Sequence, residues 1–154
     1  MRDMRRKERQ MTEEQIHDVL RSSDYGILSV ISEDNTPYGV PVNYGYSDGK
    51  LYIHHTVNES FLNECLCFSE KVCFTIVSRH EMDKEIFSTH YDSVIVFGKA
   101  RIITEPTEKI DAMMKMMRHL APDMASKAQD HCKTDTRYLM IEITPSQMTG
   151  KHRR

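Results

Sequence analysis

His54 and His55, followed by Thr56 and Ser60, are the residues whose types and spacing suit chemistry in this chain. An imidazole can take up or hand over a proton near neutral pH. A hydroxyl at the start of a helix, beside unpaired backbone N–H groups, is a device for holding a phosphate. Neighbours on a strand face opposite sides, so at most one of the two histidines can serve a given site. The cysteines, Cys65, Cys67, Cys73 and Cys132, do not have a zinc spacing. Cys65 and Cys67 fall in an expected helix, where residues two apart point roughly 200° away from each other. All four read as free buried thiols. Met113, Met114 and Met117 recur at helical spacing and read as core filling rather than metal ligands. No metal site is expected.

The stretch that must position the histidines is residues 38–56, YGVPVNYGYSDGKLYIHHT. Val40, Val42, Tyr44 and Tyr46 alternate with Pro41, Asn43, Gly45 and Ser47, and the alternation resumes after Asp48-Gly49 with Leu51, Ile53 and His55. This predicts a β-hairpin turning at Asp48-Gly49. Pro41 has no N–H to donate, so its strand belongs at an edge, at a bulge, or against something other than a neighbouring strand. Upstream, Thr12-Glu-Glu-Gln15 is a capping-box pattern and predicts a helix from near residue 13 to near Ser23, followed by a strand at 25–31. Downstream the pattern predicts a helix at 58–68, a strand at 71–78 and a polar loop at 79–90 carrying Arg79, His80 and His90. A strand at 93–104 follows, with Gly98 at a bulge or close approach. Then come a helix opening at Pro106, a short helix at 123–132 and a last strand at 137–144. Six strands with a helix before the first, one after the third and one or two before the sixth suit a mainly β (α+β) architecture, either an antiparallel barrel or a sandwich. Rossmann, P-loop and zincin motifs are absent.

The chain has 154 residues, 39% hydrophobic and 29% charged, which is the size and composition of one ordinary globular domain. No apolar run approaches the roughly 20 residues needed to span a bilayer, and the basic N-terminus lacks the apolar core of a secretory signal. No membrane association and a cytoplasmic location are the expectations. The net charge of −2 hides an asymmetry: residues 1–9 carry five basic and two acidic groups and residues 151–154 three basic ones, leaving 13 basic against 21 acidic between them. Basic ends on an acidic body argue against a nucleic-acid surface. They read as solvated tails, or as segments that fold back and offer positive charge to an anionic ligand or a partner subunit.

The segments MRRKER, VPVNYGYSDGKLYIHH, KVCF, SVIVFGKA and TGKHRR, in order over residues 4–154, resemble the pyridoxamine 5′-phosphate oxidase-like split-barrel flavoproteins, and within them the 5-nitroimidazole-resistance subgroup. The resemblance implies a single domain over 1–154, a six-stranded antiparallel split β-barrel with peripheral helices, that forms a homodimer with FMN in two clefts between subunits. It implies an oxidoreductase passing electrons from NAD(P)H through the flavin to a small-molecule substrate, by analogy a nitroaromatic. Carried over by position, Pro41, Val42, Asn43 and Tyr44 would contact the flavin largely through backbone. His54 would lie near the ring and act on substrate, with His55, Thr56 and Ser60 toward the phosphate. Where relatives carry Gly and Lys or Arg about positions 57–61, this chain has Val57, Asn58, Glu59, Ser60 and Phe61, and Asp92 stands where they often have Arg. Compensating groups would be helix N–H groups, Arg79, or Lys151 and Arg153 of either subunit. A different expectation follows from that departure: a non-catalytic split-barrel dimer that binds flavin, haem or another anionic ligand as carrier, sensor or scaffold.

Overall fold

The Thr12 side chain opens the first helix as its sequence requires. Its hydroxyl accepts the Gln15 backbone N–H at 3.3 Å while the Gln15 side chain accepts the Thr12 N–H at 2.9 Å. The computed structural model describes residues 6–56, 60–135 and 137–153. Its elements are α1 (Glu13–Ser22), β1 (Tyr25–Ile31), β2 (Pro37–Asn43), β3 (Gly45–Ser47), β4 (Lys50–Thr56), α2 (Phe61–Phe68), β5 (Lys71–Asp83), β6 (Ser88–Ile103), α3 (Pro106–Leu120), α4 (Ala125–Thr134) and β7 (Tyr138–Arg153).

All strand pairs are antiparallel, in the order β2-β1-β5-β6-β7-β4-β3. Consecutive strands β2 and β3 therefore lie at opposite edges of the sheet, joined only by Tyr44. Laid flat, seven strands would separate those edges by about 29 Å, whereas two Cα steps span about 7 Å. The sheet must curl until its edges meet, which makes a barrel split at a seam where β2 and β3 touch without pairing. Tyr44 fills the seam. It is fully buried, its hydroxyl donates to the Leu20 carbonyl at 2.9 Å and its backbone N–H to the Asp24 carbonyl at 3.1 Å.

The expected 38–47 strand is thus two strands, and the sheet has seven where six were anticipated, within the same split-barrel class. Asp48 and Gly49 make the predicted turn, both with positive φ (54° and 73°), as a tight hairpin demands. The polar segment 79–90 is not a loop. It is the outer part of a long β5–β6 hairpin whose tip is residues 84–87. Nor is the basic C-terminal end a solvated tail, since β7 runs to Arg153 and its end, residues 147–153, pairs with β6. Gly98 sits at a register shift between β6 and β7, where a Cβ would lie 2.5 Å from the Thr144 carbonyl oxygen. The helix expected from Asn58 is described from Phe61, and residues 57–59 lie outside the described residues. Among the described residues no helix is long and apolar enough to cross a membrane.

Strand alternation sorts the core into two regions. Leu28, Leu51, Ile53, Phe74, Ile76, Ile141 and Ile143 face the barrel interior with Ile16, Val19 and Leu20 of α1 and Leu62, Cys65 and Leu66 of α2. Tyr52, Ile103 and Met140 face outward and are covered by Ala112, Met113, Met114 and Met116 of α3 and Cys132 of α4. Full burial of each such apolar side chain contributes about 1.5–3 kcal/mol. Of the four free thiols, Cys65 and Cys132 are buried, but Cys73 is only partly covered and Cys67 is exposed.

One charged group lies inside the outer layer. Glu142 is 6% exposed and accepts Lys50 at 3.1 Å and Arg101 at 2.9 Å, while Arg101 also pairs with Glu108. Burial pushes the Glu142 carboxyl up, but hydrogen bonds from Arg101 and Lys50 outweigh it and hold the carboxyl below its ordinary value. A depressed native pKa means stabilisation that is complete above the unfolded value of about 4.3 and lost as pH falls through the native one. Glu142→Ala is expected to cost about 2–3 kcal/mol at pH 7, less than a fully orphaned pair because Arg101 keeps Glu108. Urea unfolding of both proteins should show the gap narrowing below about pH 4.

Candidate functional site

The parity of β4 decides where its histidines point. His54 shares the outer face with Tyr52, and its ring lies 5.7 Å from that of Tyr138. It borders a cavity of about 390 Å3 lined by Met113, Met116 and Met117 of α3, Cys132 of α4 and Tyr138 of β7. This is within the size range of small-molecule pockets, and its lining is mainly apolar. One side of His54 is open to solvent, but the pocket walls desolvate the ring. Burial first, and then the neighbouring His55, lower its pKa, so the imidazole is neutral at pH 7.

His55 shares the interior parity of Leu51 and Ile53. Its Nε2 lies 2.9 Å from the Ser60 hydroxyl, and burial lowers its pKa too. A neutral His55 protonated on Nδ1 accepts the Ser60 hydroxyl proton there, and the same hydroxyl oxygen accepts the Asn63 N–H at 3.2 Å, capping α2. The two histidines thus serve different surroundings, one beside α3 and α4, the other at the start of α2. Thr56 is exposed at the end of β4.

The other expected contacts lie on β2. It is an edge strand, with Pro41 opposite Ile27 of β1, and Pro41 and Asn43 are exposed while Val42 packs on the core. The Asn43 side-chain amide donates to the Asp24 carbonyl at 3.1 Å. Tyr44 differs from its neighbours: its hydroxyl and its N–H are spent in the seam, so any ligand contact would need its carbonyl. Gly45 of β3 and the His54 cavity are tied together by α3, because the Met116 backbone sits against Gly45 while Met116 also lines the cavity.

The start of α2 is a poor place for an anion. Ser60 is committed to its cap, Glu64 lies in the first turn, and the adjoining surface depression of about 490 Å3 is lined by Glu33, Asp34 and Glu64. Arg79, a candidate compensating cation, is paired with Glu81 at 2.8 Å. Sequence reasoning missed Tyr138 and Met116 as walls around His54. Their spacing reads as ordinary core, and only the pairing of β4 with β7 brings Tyr138 to the histidine strand.

A family model for pyridoxamine 5′-phosphate oxidase matches residues 12–152. The chain belongs to this family. Among curated protein sequences nothing matches. A solved structure from Bacteroides thetaiotaomicron, of a protein named for 5-nitroimidazole antibiotic resistance, is 25% identical with a TM-score of 0.77, covering 92% of this chain and 85% of that one. An FAD-binding protein from Mesorhizobium loti is 19% identical with a TM-score of 0.69, covering 95% and 98%. A flavocytochrome from Azotobacter vinelandii is 14% identical with a TM-score of 0.79, covering 99% and 72%. The last two speak for the split-barrel fold of the pyridoxamine 5′-phosphate oxidase family, which the strand order and seam display independently. Among the described residues no three His, Cys, Asp or Glu side chains gather as metal ligands.

Proposed function

We propose that this member of the pyridoxamine 5′-phosphate oxidase family is an FMN-dependent oxidoreductase, a homodimer with its clefts between subunits, that passes electrons from NAD(P)H to a small acceptor. The observation that carries the reading is the free β2 edge at Pro41 together with a neutral His54 on a mainly apolar cavity. A flat ring with a polar rim fits such an edge, since Pro41 leaves its neighbours' backbone groups uncontested. The acceptor fits the cavity, with its apolar body against Met113, Met116 and Tyr138. When bound, FMN supplies two-electron chemistry, taking a hydride from the nicotinamide and giving it up to the acceptor. The chain's own part is to seat the acceptor, exclude water with the methionines, and present a ring N–H of His54 to the acceptor's polar atom.

The phosphate end does not fit the start of α2, for the reasons of charge and capping given above. That mismatch favours the second reading, a non-catalytic dimer acting as carrier, sensor or scaffold. The visible absorption spectrum, taken with and without added FMN and after desalting, separates the two. Flavin bands that stay with the protein and bleach on adding NAD(P)H are the expected result. A colourless protein that cannot be reconstituted would sink the oxidoreductase reading.

A further inference from the structure

The two basic ends of the chain meet. Gln10 bridges to Lys151, and the Met11 N–H donates to the Gly150 carbonyl at 3.0 Å, which lays the N-terminal segment against the end of β7. On β6 the facing residues are Tyr91, opposite Arg153, and Ser93, opposite Lys151, so Tyr91, Lys151 and Arg153 share one face. The Lys151 ammonium lies 5.8 Å from the centre of the Tyr91 ring. Arg6, Arg9, Lys151 and Arg153 are all partly buried, and among the described residues none of them has a carboxylate within ion-pair distance. Elsewhere Lys50, Arg79, Lys99, Arg101, Lys115, Lys133 and Arg137 each hold an acidic partner, and cations without one among the described residues, such as Lys71, Lys84, Arg118 and Lys127, are exposed to solvent. Burial alone would raise the Tyr91 hydroxyl's pKa, but hydrogen bonds from Arg9 and Lys151 and their charges overcome it and bring it below the ordinary tyrosine value. Partly desolvated cations crowded together without counter-charges are unfavourable unless an anion joins them.

We propose that Arg9, Lys151 and Arg153, with the Tyr91 hydroxyl, form a binding site for the phosphate group of a nucleotide. Guanidinium groups match phosphate oxygens in a two-pronged geometry, and the lysine adds a point charge. Naming a nucleotide rests on the oxidoreductase reading above; the affinity for phosphate does not. Along β7, Lys151 lies eleven residues from Met140, the partner of His54, which is about 36 Å of strand. Within one copy the cluster therefore does not complete a ligand seated at His54. It serves either the FMN phosphate reaching it from the second copy or the phosphates of the electron donor.

The test uses inorganic diphosphate as probe, titrated calorimetrically into the full chain at low salt. Binding is expected, and the double variant Arg9→Gln/Lys151→Gln should bind about ten- to a hundredfold more weakly, with Arg79→Gln unchanged. Tyr91→Phe, which keeps the ring under Lys151, is a milder second variant expected to weaken binding about tenfold. Thermal unfolding confirms that each variant is folded. Absence of diphosphate binding, or equal weakening by Arg79→Gln, would overturn the site. FMN, riboflavin and NADPH then identify the source. Loss of FMN affinity with riboflavin unaffected assigns the flavin phosphate, and loss of NADPH affinity alone assigns the donor. A protein that binds diphosphate through this cluster but never takes up flavin would uphold the site and refute the oxidoreductase reading.

Discussion

Gly45→Ala is expected to destabilise the protein by about 3 kcal/mol or more, lowering the melting temperature by roughly 6–12 °C for a chain of this size. An alanine Cβ there would lie 2.3 Å from the Met116 Cα and 3.1 Å from its carbonyl carbon. Both are helix backbone, so no side-chain rotation relieves the clash and α3 must move away from the sheet. Because Met116 also lines the cavity beside His54, the same substitution should loosen that cavity. Gly39→Ala on β2 is the control. Its Cβ would meet the Ile27 side chain at 3.4 Å, an ordinary contact, and thermal unfolding should show little loss. Equal melting temperatures for the two variants would mean that α3 does not press on the seam as described.

The second large effect concerns turnover. If the flavin reading holds, His54→Ala should lower NAD(P)H-dependent reduction of an acceptor by about 10²–10⁴-fold while leaving flavin affinity largely intact. The ring touches the cavity rather than the free edge of β2. Its pH dependence gives a separate signature. With the His54 pKa lowered by burial, the neutral form persists through pH 7 and is lost only as pH falls below the ordinary histidine value of about 6.5. The wild-type rate should therefore be flat near neutrality and rise on the acid side, where the protonated ring donates more strongly, and the variant should lack that rise. Parallel loss of flavin binding and turnover would reassign His54 to cofactor binding or to structure.

Much of the fold was legible because it rests on local chemistry. The Thr12 capping box, the Asp48-Gly49 turn and Pro106 at a helix start all act over a few residues, and each appears where the sequence places it. The opposite facing of His54 and His55 follows from strand parity alone. The break at Tyr44 could not be read, since Val40, Val42, Tyr44 and Tyr46 keep one alternation whichever neighbour each strand pairs with. The outer hairpin of β5 and β6 was hidden for the opposite reason. Residues 79–90 carry no apolar alternation, because that part of the ribbon buries no face in the core. Charge asymmetry was visible in the sequence, but Tyr91 acquires its basic neighbours only through pairing between β6 and β7 and the bridge from Gln10, contacts some 60 to 140 residues apart in sequence.

Placing Tyr44 alone between the two edges of the sheet also bears on how the chain folds. Closing a barrel usually requires edges distant in sequence to find each other, at an entropic cost that grows with the intervening length and slows folding. Here the edges are consecutive in the chain, so their closure carries almost no such cost. The slow encounter is shifted to the middle of the sheet, where β4 must find β7 across more than eighty residues. In the folding transition state, the seam should be formed before that pairing is complete.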